Sequence, residues 1–112
     1  MSGPRLTHRL TLETPGHVSD GAGGYAQTWT PLGTLWAELA LRSGRERTDG
    51  GAPLSTQGYR ITVRAAPYGH PERPMPEQRF RDGQRVFNIR AVAEASADAR
   101  HLICFADEEV VA

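Results

Sequence analysis

The chain has 112 residues, 38% of them hydrophobic, and its 13 basic and 13 acidic residues give a formal net charge of zero. This length predicts a single domain, 1–112, with a modest core, and the balanced charge argues against a general nucleic-acid binder, which needs a net basic surface. We expect no membrane partner and no secretory signal, because no window reaches the ~18 consecutive apolar residues of a membrane helix and the first residues lack an apolar stretch.

The first predicted strand covers residues 5–14, where apolar and polar side chains alternate. A proline–glycine pair at 15–16 is expected to end this strand. The glycine-rich segment 17–24 follows. Phosphate binding by such a segment requires a helix start directly after it, whereas residues 25–30 are typical of a strand, so we interpret 17–24 as a hairpin connection.

The segment 28–47 contains both tryptophans and organises the predicted fold. A turn is expected at 31–33, and 34–41 is interpreted as the central strand of the sheet. Trp29 and Trp36 are the largest side chains of the chain, and burying such rings stabilises a fold by a few kcal/mol each. We therefore expect both tryptophans in the core.

Residues 42–55 are polar, contain glycine and proline, and have no apolar face that would hold them against a core. Ser43 and Glu46 have the spacing of a capping box for one short helical turn. Beyond that turn the sequence predicts a long polar loop that projects from the barrel. Loops of this length without structure of their own are usually functional or disordered, and both interpretations stay open here.

The second half of the chain predicts further strands separated by turns. The segment 67–78 contains four of the eight prolines, so it is expected to be an extended crossover rather than a central strand or helix. A hairpin turn is predicted at 81–84 around Asp82-Gly83, and a second turn at 96–99. The strands are predicted at 56–66, from Phe80 onward, at 84–93 and at 101–106.

The predicted elements together define the fold class. About six short strands, short turns and no convincing long helix indicate an all-β fold, a small antiparallel β-barrel or sandwich with a long polar loop between the central strands.

The reactive side chains do not form a recognisable catalytic pattern. The four histidines are scattered over strands and loops, and no pair has the spacing that places two metal ligands on one face. Cys104 lies in an apolar strand, where cysteine is usually a small core residue. As a single cysteine it excludes an internal disulfide and is typical of a reducing, intracellular origin. We expect no catalytic, cofactor or metal site and no enzyme activity.

The order of these elements resembles the phage head–tail joining (head completion or stopper) protein family. Each motif is ordinary strand or turn, but their order and spacing match over residues 5–105. The motifs are LTHRLTLE at 6–13, Asp20 and Gly23-Gly24-Tyr25 before Gln27-Thr28-Trp29, LWAEL at 35–39 with SGRE at 43–46, YRITVR at 59–64, and FRDGQRVFNIRAV at 80–92. The stopper of a bacterial gene transfer agent is a related possibility, and the sequence does not separate it from a phage protein.

The resemblance implies a structural role without cofactors. Family members form a homo-oligomeric ring between the portal–adaptor complex at the head vertex and the tail terminator. The ring closes the channel that holds packaged double-stranded DNA and presents a surface for tail docking. The implied location is the head–tail interface of a virion or phage-like particle assembled in the bacterial cytoplasm.

Two surfaces are candidates for contacts in such a ring. The first is the 42–55 loop, where Arg42, Arg45 and Arg47 are expected to contact DNA phosphates in the channel. The second is the proline-rich crossover, whose restricted backbone lowers the entropy lost on docking; an inert connection is the alternative. Its candidate contact residues are Pro67, Tyr68, His70, Pro71, Arg73 and Pro74.

Two other functions stay open at this point. A tail terminator or adaptor of the same particle is one alternative, and an adaptor should be mostly helical. A small oligonucleotide-binding barrel is the other, and it predicts exposed aromatic rings on one basic sheet face.

Overall fold

The computed structural model describes residues 3–49, 52–95 and 99–109, with backbone alone described at 43–49 and 52–56. Within this part of the chain the regular elements are all strands, which confirms the predicted all-β class. The strands are β1 His8–Ser19, β2 Tyr25–Asp49, β3 Ala52–Arg64, β4 Arg79–Asp82, β5 Arg85–Glu94 and β6 His101–Glu108.

The strands form one closed antiparallel barrel in the order β1-β2-β3-β6-β5-β4. The short strand β4 closes it, because β4 pairs with β5 on one side and with β1 on the other, where Phe80 lies opposite Leu12. The predicted hairpin at 81–84 is present, and Gly83 supplies the positive φ of 61° that its turn requires.

The core lies inside this ring of strands and follows the period-two alternation of each strand. Phe80 and Phe87 face each other across β4 and β5, and both are fully buried. Both faces of β5 carry apolar side chains, so the sequence did not show which one points into the core. The core face is the one with Phe87 and Ile89. The remaining buried apolar side chains are Leu10, Leu12, Leu35, Ala37, Ile61, Val63, Leu102, Cys104 and Ala106.

Neither tryptophan belongs to this core, so the prediction that both are buried is wrong. Trp36 is 53% exposed, and it is flanked in β2 by the buried residues Leu35 and Ala37. Alternate residues of a strand point to opposite faces, so burying these two neighbours turns Trp36 outward. Trp29 is half-buried, and it lies in the part of β2 that extends beyond the barrel and pairs with β1 alone.

Strand β2 has 25 residues and is much longer than the barrel it crosses. It pairs with β1 up to Ala37 and with β3 from Ala37 onward. Its two ends therefore extend as two-stranded ribbons from opposite ends of the barrel. We call 14–19 paired with 25–30 the N-terminal arm, and 45–49 paired with 52–56 the central arm.

The N-terminal arm corrects the predicted end of β1. The proline–glycine pair at 15–16 does not terminate the strand, since Pro15 pairs with Trp29 and Gly16 with Thr28. The connection between β1 and β2 is accordingly shorter than the predicted loop 17–24. The turn expected at 31–33 is a bulge in the β1–β2 ladder, where the register shifts between Leu12 and Glu13.

The central arm corrects the second loop prediction. Residues 42–55 contain neither a loop nor a helical turn over their described part, because β2 continues to Asp49 and β3 begins at Ala52. The ladder runs from Arg45 opposite Thr56 to Asp49 opposite Ala52. Backbone hydrogen bonds build such a ladder without any apolar face, which is why the polar composition was misleading. The connecting residues 50–51 lie outside the described residues.

The proline-rich segment 67–78 is an irregular crossover, as predicted. It leads from β3 to β4, which lie on opposite sides of the barrel, so it passes over one barrel end. Pro74 is fully buried and packs into that end. Backbone hydrogen bonds between Ile89 and both Glu77 and Gln78 then join the segment to β5.

Candidate interaction surfaces

Arg42 lies at the base of the central arm and is held on the outer wall of the barrel. Its guanidinium is 3.9 Å from Asp107 and 5.6 Å from the centre of the Phe105 ring. Arg60 approaches the same ring at 5.9 Å, and Arg90 contacts Asp107 at 3.1 Å. Three guanidinium groups thus surround one carboxylate and one ring, which makes this part of the wall basic.

The other two predicted DNA-contacting residues, Arg45 and Arg47, lie further along β2 in the central arm. Their side chains are outside the described residues. The backbone nevertheless places them beyond the last pairs of β6, which ends at Glu108 opposite Gln57. The three arginines therefore extend from the barrel wall outward along one strand.

A second ion pair fixes the end of β6 beside this arm. Arg85 donates two hydrogen bonds to the Glu108 carboxylate, at 2.8 and 3.1 Å, and a third to the Tyr59 hydroxyl at 3.2 Å. The hydrogen bonds from Arg85 to the Glu108 carboxylate lower the pKa of Glu108, and the same carboxylate raises the pKa of Arg85. The pair joins β5 to the last residue of β6 and stiffens the end of the barrel that carries the central arm.

The N-terminal arm ends in a turn organised by Asp20. The Asp20 carboxylate accepts hydrogen bonds from the backbone N–H groups of Ala22 and Gly24, at 2.8 and 3.1 Å. These bonds stabilise the ionised form and lower the pKa of Asp20. The arm therefore carries a negative charge at its tip.

The base of the N-terminal arm is fixed by a buried ion pair. Glu13 lies 2.7 Å from Arg79 and 3.7 Å from Arg81. Arg79 also stacks on the Trp29 ring at 4.0 Å. The half-buried tryptophan thus packs against a cation on β4, and this contact joins the base of the arm to the barrel.

The crossover residues predicted as a contact surface divide into two groups. Arg73 donates to the carbonyl of Ala66 at 2.7 Å and stacks on the Tyr68 ring at 3.8 Å, so it holds the segment to its own chain. Pro74 is buried and offers no surface to a partner, so its prediction as a contact residue is wrong. Tyr68, in contrast, is 84% exposed. The predicted residues left at the surface are Pro67, Tyr68, His70 and Pro71.

A groove that the sequence did not reveal lies where β3 leaves β2, at the end of the barrel that carries the N-terminal arm. It has a volume of about 560 Å³ and an apolar floor with charged residues at its rim. Gly33 lets the Glu72 side chain approach closely, since an added Cβ would lie 3.0 Å from it. The lining residues are Leu6, Thr34, Leu35, Trp36, Arg64, Ala65, Ala66, His70 and Glu72.

The described residues contain neither a cluster of metal ligands nor an ionised thiol. No group of three or more metal-binding side chains is found over 3–49, 52–95 and 99–109. Burial raises the pKa of the Cys104 thiol to about 12, so it stays protonated and unreactive near neutral pH. A helix long and apolar enough to cross a membrane is likewise absent from the described part of the chain.

The fold and the surfaces together describe a closed barrel with two projecting arms. Comparison with known proteins agrees with this class. A family model described as phage head completion protein matches residues 1–109. The chain belongs to the phage head completion protein family, which confirms the resemblance seen in the sequence and the expectation of a structural, non-enzymatic protein.

A solved structure extends this assignment. The chain is similar to a chain in the virion of a native gene transfer agent particle, with 49% sequence identity and a TM-score of 0.85. The match covers 98% of this chain and 100% of that one. No curated protein matches the chain.

Proposed function

We propose that this chain completes the head of a phage-like particle by forming a ring between the portal–adaptor complex and the tail. The observation that carries the proposal is the full-length match, at 49% identity, to a chain of a gene transfer agent virion. In this role the ring closes the DNA channel after packaging and presents the surface on which the tail docks.

The shape of the subunit supports a connecting role. Its two arms leave opposite ends of a closed barrel, so each copy reaches beyond the barrel in two directions. A rigid barrel suits the repeated unit of a ring, and heterologous contacts close into a ring when their rotation closes.

The central arm is the part proposed to seal the channel. Arg42 is fixed on the outer wall by Asp107 and Phe105, and Arg45 and Arg47 follow it on the same strand. Guanidinium groups bind phosphate oxygens with charge-assisted hydrogen bonds. The acidic residues Glu46 and Asp49 in the same arm limit the net attraction, so DNA can still leave the channel.

Two of the alternatives, the adaptor and the oligonucleotide-binding barrel, fit the findings less well. An adaptor was expected to be mostly helical, whereas the described residues form strands. An oligonucleotide-binding barrel was expected to expose its aromatic rings on one basic face. The exposed rings do not form one patch along a single sheet face: Tyr25 is at the tip of the N-terminal arm, Trp36 is in the barrel part of the same strand β2, and Tyr68 is on the crossover.

Electron microscopy of particles from a strain lacking this gene tests the proposal. We expect tailless heads that have lost their DNA. Normal tailed, DNA-filled particles would overturn the proposed role.

The sealing role of the arm has its own test in the same strain. A gene in which residues 45–56 are replaced by a short turn should give particles that lose packaged DNA. The double variant Arg45→Gln/Arg47→Gln separates charge from length, and Arg5→Gln/Arg81→Gln, outside the arm, is the matched control. If particles with the shortened arm keep their DNA as well as the parent particles, the arm does not seal the channel.

A further inference from the structure

The N-terminal arm leaves both of its edges without a partner strand. Over the described residues, β3 pairs with β2 only from Ala37 onward, and β4 pairs with β1 only at 11–13. Residues 14–19 and 25–30 therefore pair with each other alone. Two-stranded ribbons are marginal in water, and an unpaired edge is a template for a further strand.

The phase of the ladder identifies the backbone groups that point outward from the two edges. At the tip, the N–H of Asp20 donates to the carbonyl of Gly24 at 3.1 Å, which is the bond of a hydrogen-bonded pair. Hydrogen-bonded and non-hydrogen-bonded pairs alternate along an antiparallel ladder. The non-hydrogen-bonded pairs, whose N–H and C=O groups face away from the ribbon, are therefore 19–25, 17–27 and 15–29.

The edge of β2 at 25–30 lacks the features that protect a free edge. Its sequence, YAQTWT, contains no charge, proline or glycine, and its aromatic and β-branched residues favour strand pairing. In the central arm, by contrast, β2 carries Arg45, Arg47 and Asp49, and β3 carries Pro53. Charged side chains and proline discourage an edge from pairing with another strand. The edge at 25–30 is thus open to a partner strand.

A neighbouring copy of the chain offers a matching edge on β1. The outward groups of that edge belong to Ser19, His17 and Pro15, and Ser19 and His17 are exposed. In a ring whose arms run along its axis, residues 25 and 27 of one copy lie level with 19 and 17 of the next. The two edges then meet antiparallel and in hydrogen-bonding phase. The missing N–H of Pro15 removes one hydrogen bond from this contact and none from its own ribbon.

Side chains on both faces of the arm favour a neighbour in the plane of the sheet. Val18 is 52% exposed and shares one face with Ala26, whereas Tyr25 is 76% exposed and shares the other face with Ser19. A partner stacked on one face would leave the apolar side chain of the other face in water. A strand beside the ribbon contacts side chains on both faces as cross-strand neighbours.

The charges of the arm permit this arrangement. Residues 14–19 and 25–30 contain no carboxylate and no arginine. The acidic group nearest to them is Asp20 in the turn, which is held by the backbone N–H groups of Ala22 and Gly24. Equivalent turns of neighbouring copies are two strand spacings apart, about 10 Å. This separation is close to the Debye length at physiological salt, so the repulsion between them is largely screened.

We infer that the N-terminal arms of neighbouring copies pair edge to edge, so that 25–29 of one copy and 15–19 of the next form one continuous sheet. The contact is heterologous, because β2 meets β1, and its repetition closes a ring of ribbons. Pairing of two 25–30 edges would instead give a two-fold dimer, which has no place in a ring whose copies all point the same way. The inference rests on the proposed function and names the contact that joins neighbours in its ring.

Disulfide formation between two chains tests this contact. A strain that supplies two forms of the chain, His17→Cys and Gln27→Cys, builds particles in which the two thiols meet only between different copies. A hydrogen-bonded antiparallel pair has Cα atoms about 5.5 Å apart, within the range of a disulfide. The native Cys104 is buried with a pKa of about 12, so it does not compete. Mild oxidation should give a covalent dimer of this chain on non-reducing gels.

Two controls accompany the mixed particles. Particles with either variant alone should give no dimer, because like thiols of neighbouring copies lie about 10 Å apart. His17→Cys mixed with Leu41→Cys should also give none, since Leu41 is exposed at the opposite end of the barrel. Filled, tailed particles that contain His17→Cys and Gln27→Cys without a dimer would overturn the edge pairing and leave the head-completion role standing. Equal dimer in a control, or a disulfide to a different particle protein, would also overturn it.

A proline on the open edge supplies an independent outcome. Gln27→Pro removes the outward N–H of residue 27 but no hydrogen bond of its own ribbon, so the circular dichroism of the purified chain should not change. Gln27→Thr keeps this N–H and is the matched control. When each tagged variant competes with the parent chain during assembly, we expect Gln27→Pro to be depleted from particles roughly tenfold and Gln27→Thr not to be depleted. Equal incorporation of the folded proline variant would count against the inference.

Discussion

Glu13 is a buried carboxylate at the junction of the barrel and the N-terminal arm, 2.7 Å from Arg79. Replacing Glu13 by alanine leaves a largely buried guanidinium without this partner, and an unpaired buried charge is costly. We expect Glu13→Ala to lower the free energy of unfolding by about 2–4 kcal/mol. Urea denaturation measures this change.

The matched control is Arg81, which also approaches Glu13 but at 3.7 Å and from a half-exposed position. Exposed ion pairs contribute little, so Arg81→Gln should cost less than about 1 kcal/mol. Equal losses in the free energy of unfolding of the two variants would show that the pair between Glu13 and Arg79 contributes no more than an exposed ion pair.

Glu108 gives the fold a pH-dependent contact at the opposite end of the barrel. Its pKa lies below the ordinary value of 4.5, mainly because of the hydrogen bond from Arg85. A carboxyl group with a lowered pKa in the folded state contributes stability above its unfolded pKa, and this contribution disappears as the pH falls through the folded pKa.

The variant Arg85→Gln should therefore be less stable than the parent chain near neutral pH, and the difference should shrink below about pH 4.5. Chemical denaturation at a series of pH values measures this difference. A difference that stays constant through the acid range would mean that the pair does not contribute in this way.

At the scale of single strands, the direction of a side chain matters more than its size. Trp36 shares its face of β2 with Thr34 and Glu38, and this polar alternation already indicated an outward direction. Leu35 and Ala37, which are smaller, occupy the core. The area of the ring favours a buried Trp36, whereas the alternation of the strand turns it outward, and the alternation decides its position.

Two substitutions distinguish the area of a ring from its direction in the strand as the property that determines its contribution to stability. Phe80→Ala removes a fully buried ring that holds the four-residue strand β4 in the barrel, and it should cost about 3–5 kcal/mol. Trp36→Ala removes a larger but half-exposed ring and should cost about 1 kcal/mol or less. Thermal unfolding of both variants measures the contrast, which would be reversed if Trp36 were the core residue.

Local signals predicted some connections correctly and failed at others. The turn at Gly83 follows from a residue that permits a positive φ, and the crossover follows from prolines that restrict the backbone; both are present. The central arm was predicted as a loop because it lacks an apolar face. Its pairing depends on main-chain hydrogen bonds between β2 and β3, and these leave a weak trace in composition.

At the scale of the whole molecule, the order of the strands in the barrel could not be predicted from the sequence. The pairs that close the barrel join β3 to β6 and β1 to β4, which are distant along the chain. The groove is equally non-local, since it combines the segment before β1, the middle of β2 and the crossover. The arginines of the 42–55 segment were recognisable as candidate contacts because they are close in sequence.

The elongated shape of the chain follows from the two arms. Its radius of gyration is 15.6 Å, whereas a compact domain of about 100 residues has roughly 13 Å. The central arm pairs with no other strand beyond Gln57 over the described residues, so barrel closure does not depend on it.

Replacing 45–56 by a short turn should therefore leave a cooperatively folding barrel with a smaller radius of gyration. Removing the ribbon leaves the core side chains in place, and we expect a stability change within about 1 kcal/mol. Small-angle X-ray scattering and thermal unfolding measure the two quantities. Loss of cooperative unfolding would show that the arm is part of the folding unit, and the loss of packaged DNA from particles with the shortened arm would then not be evidence of sealing.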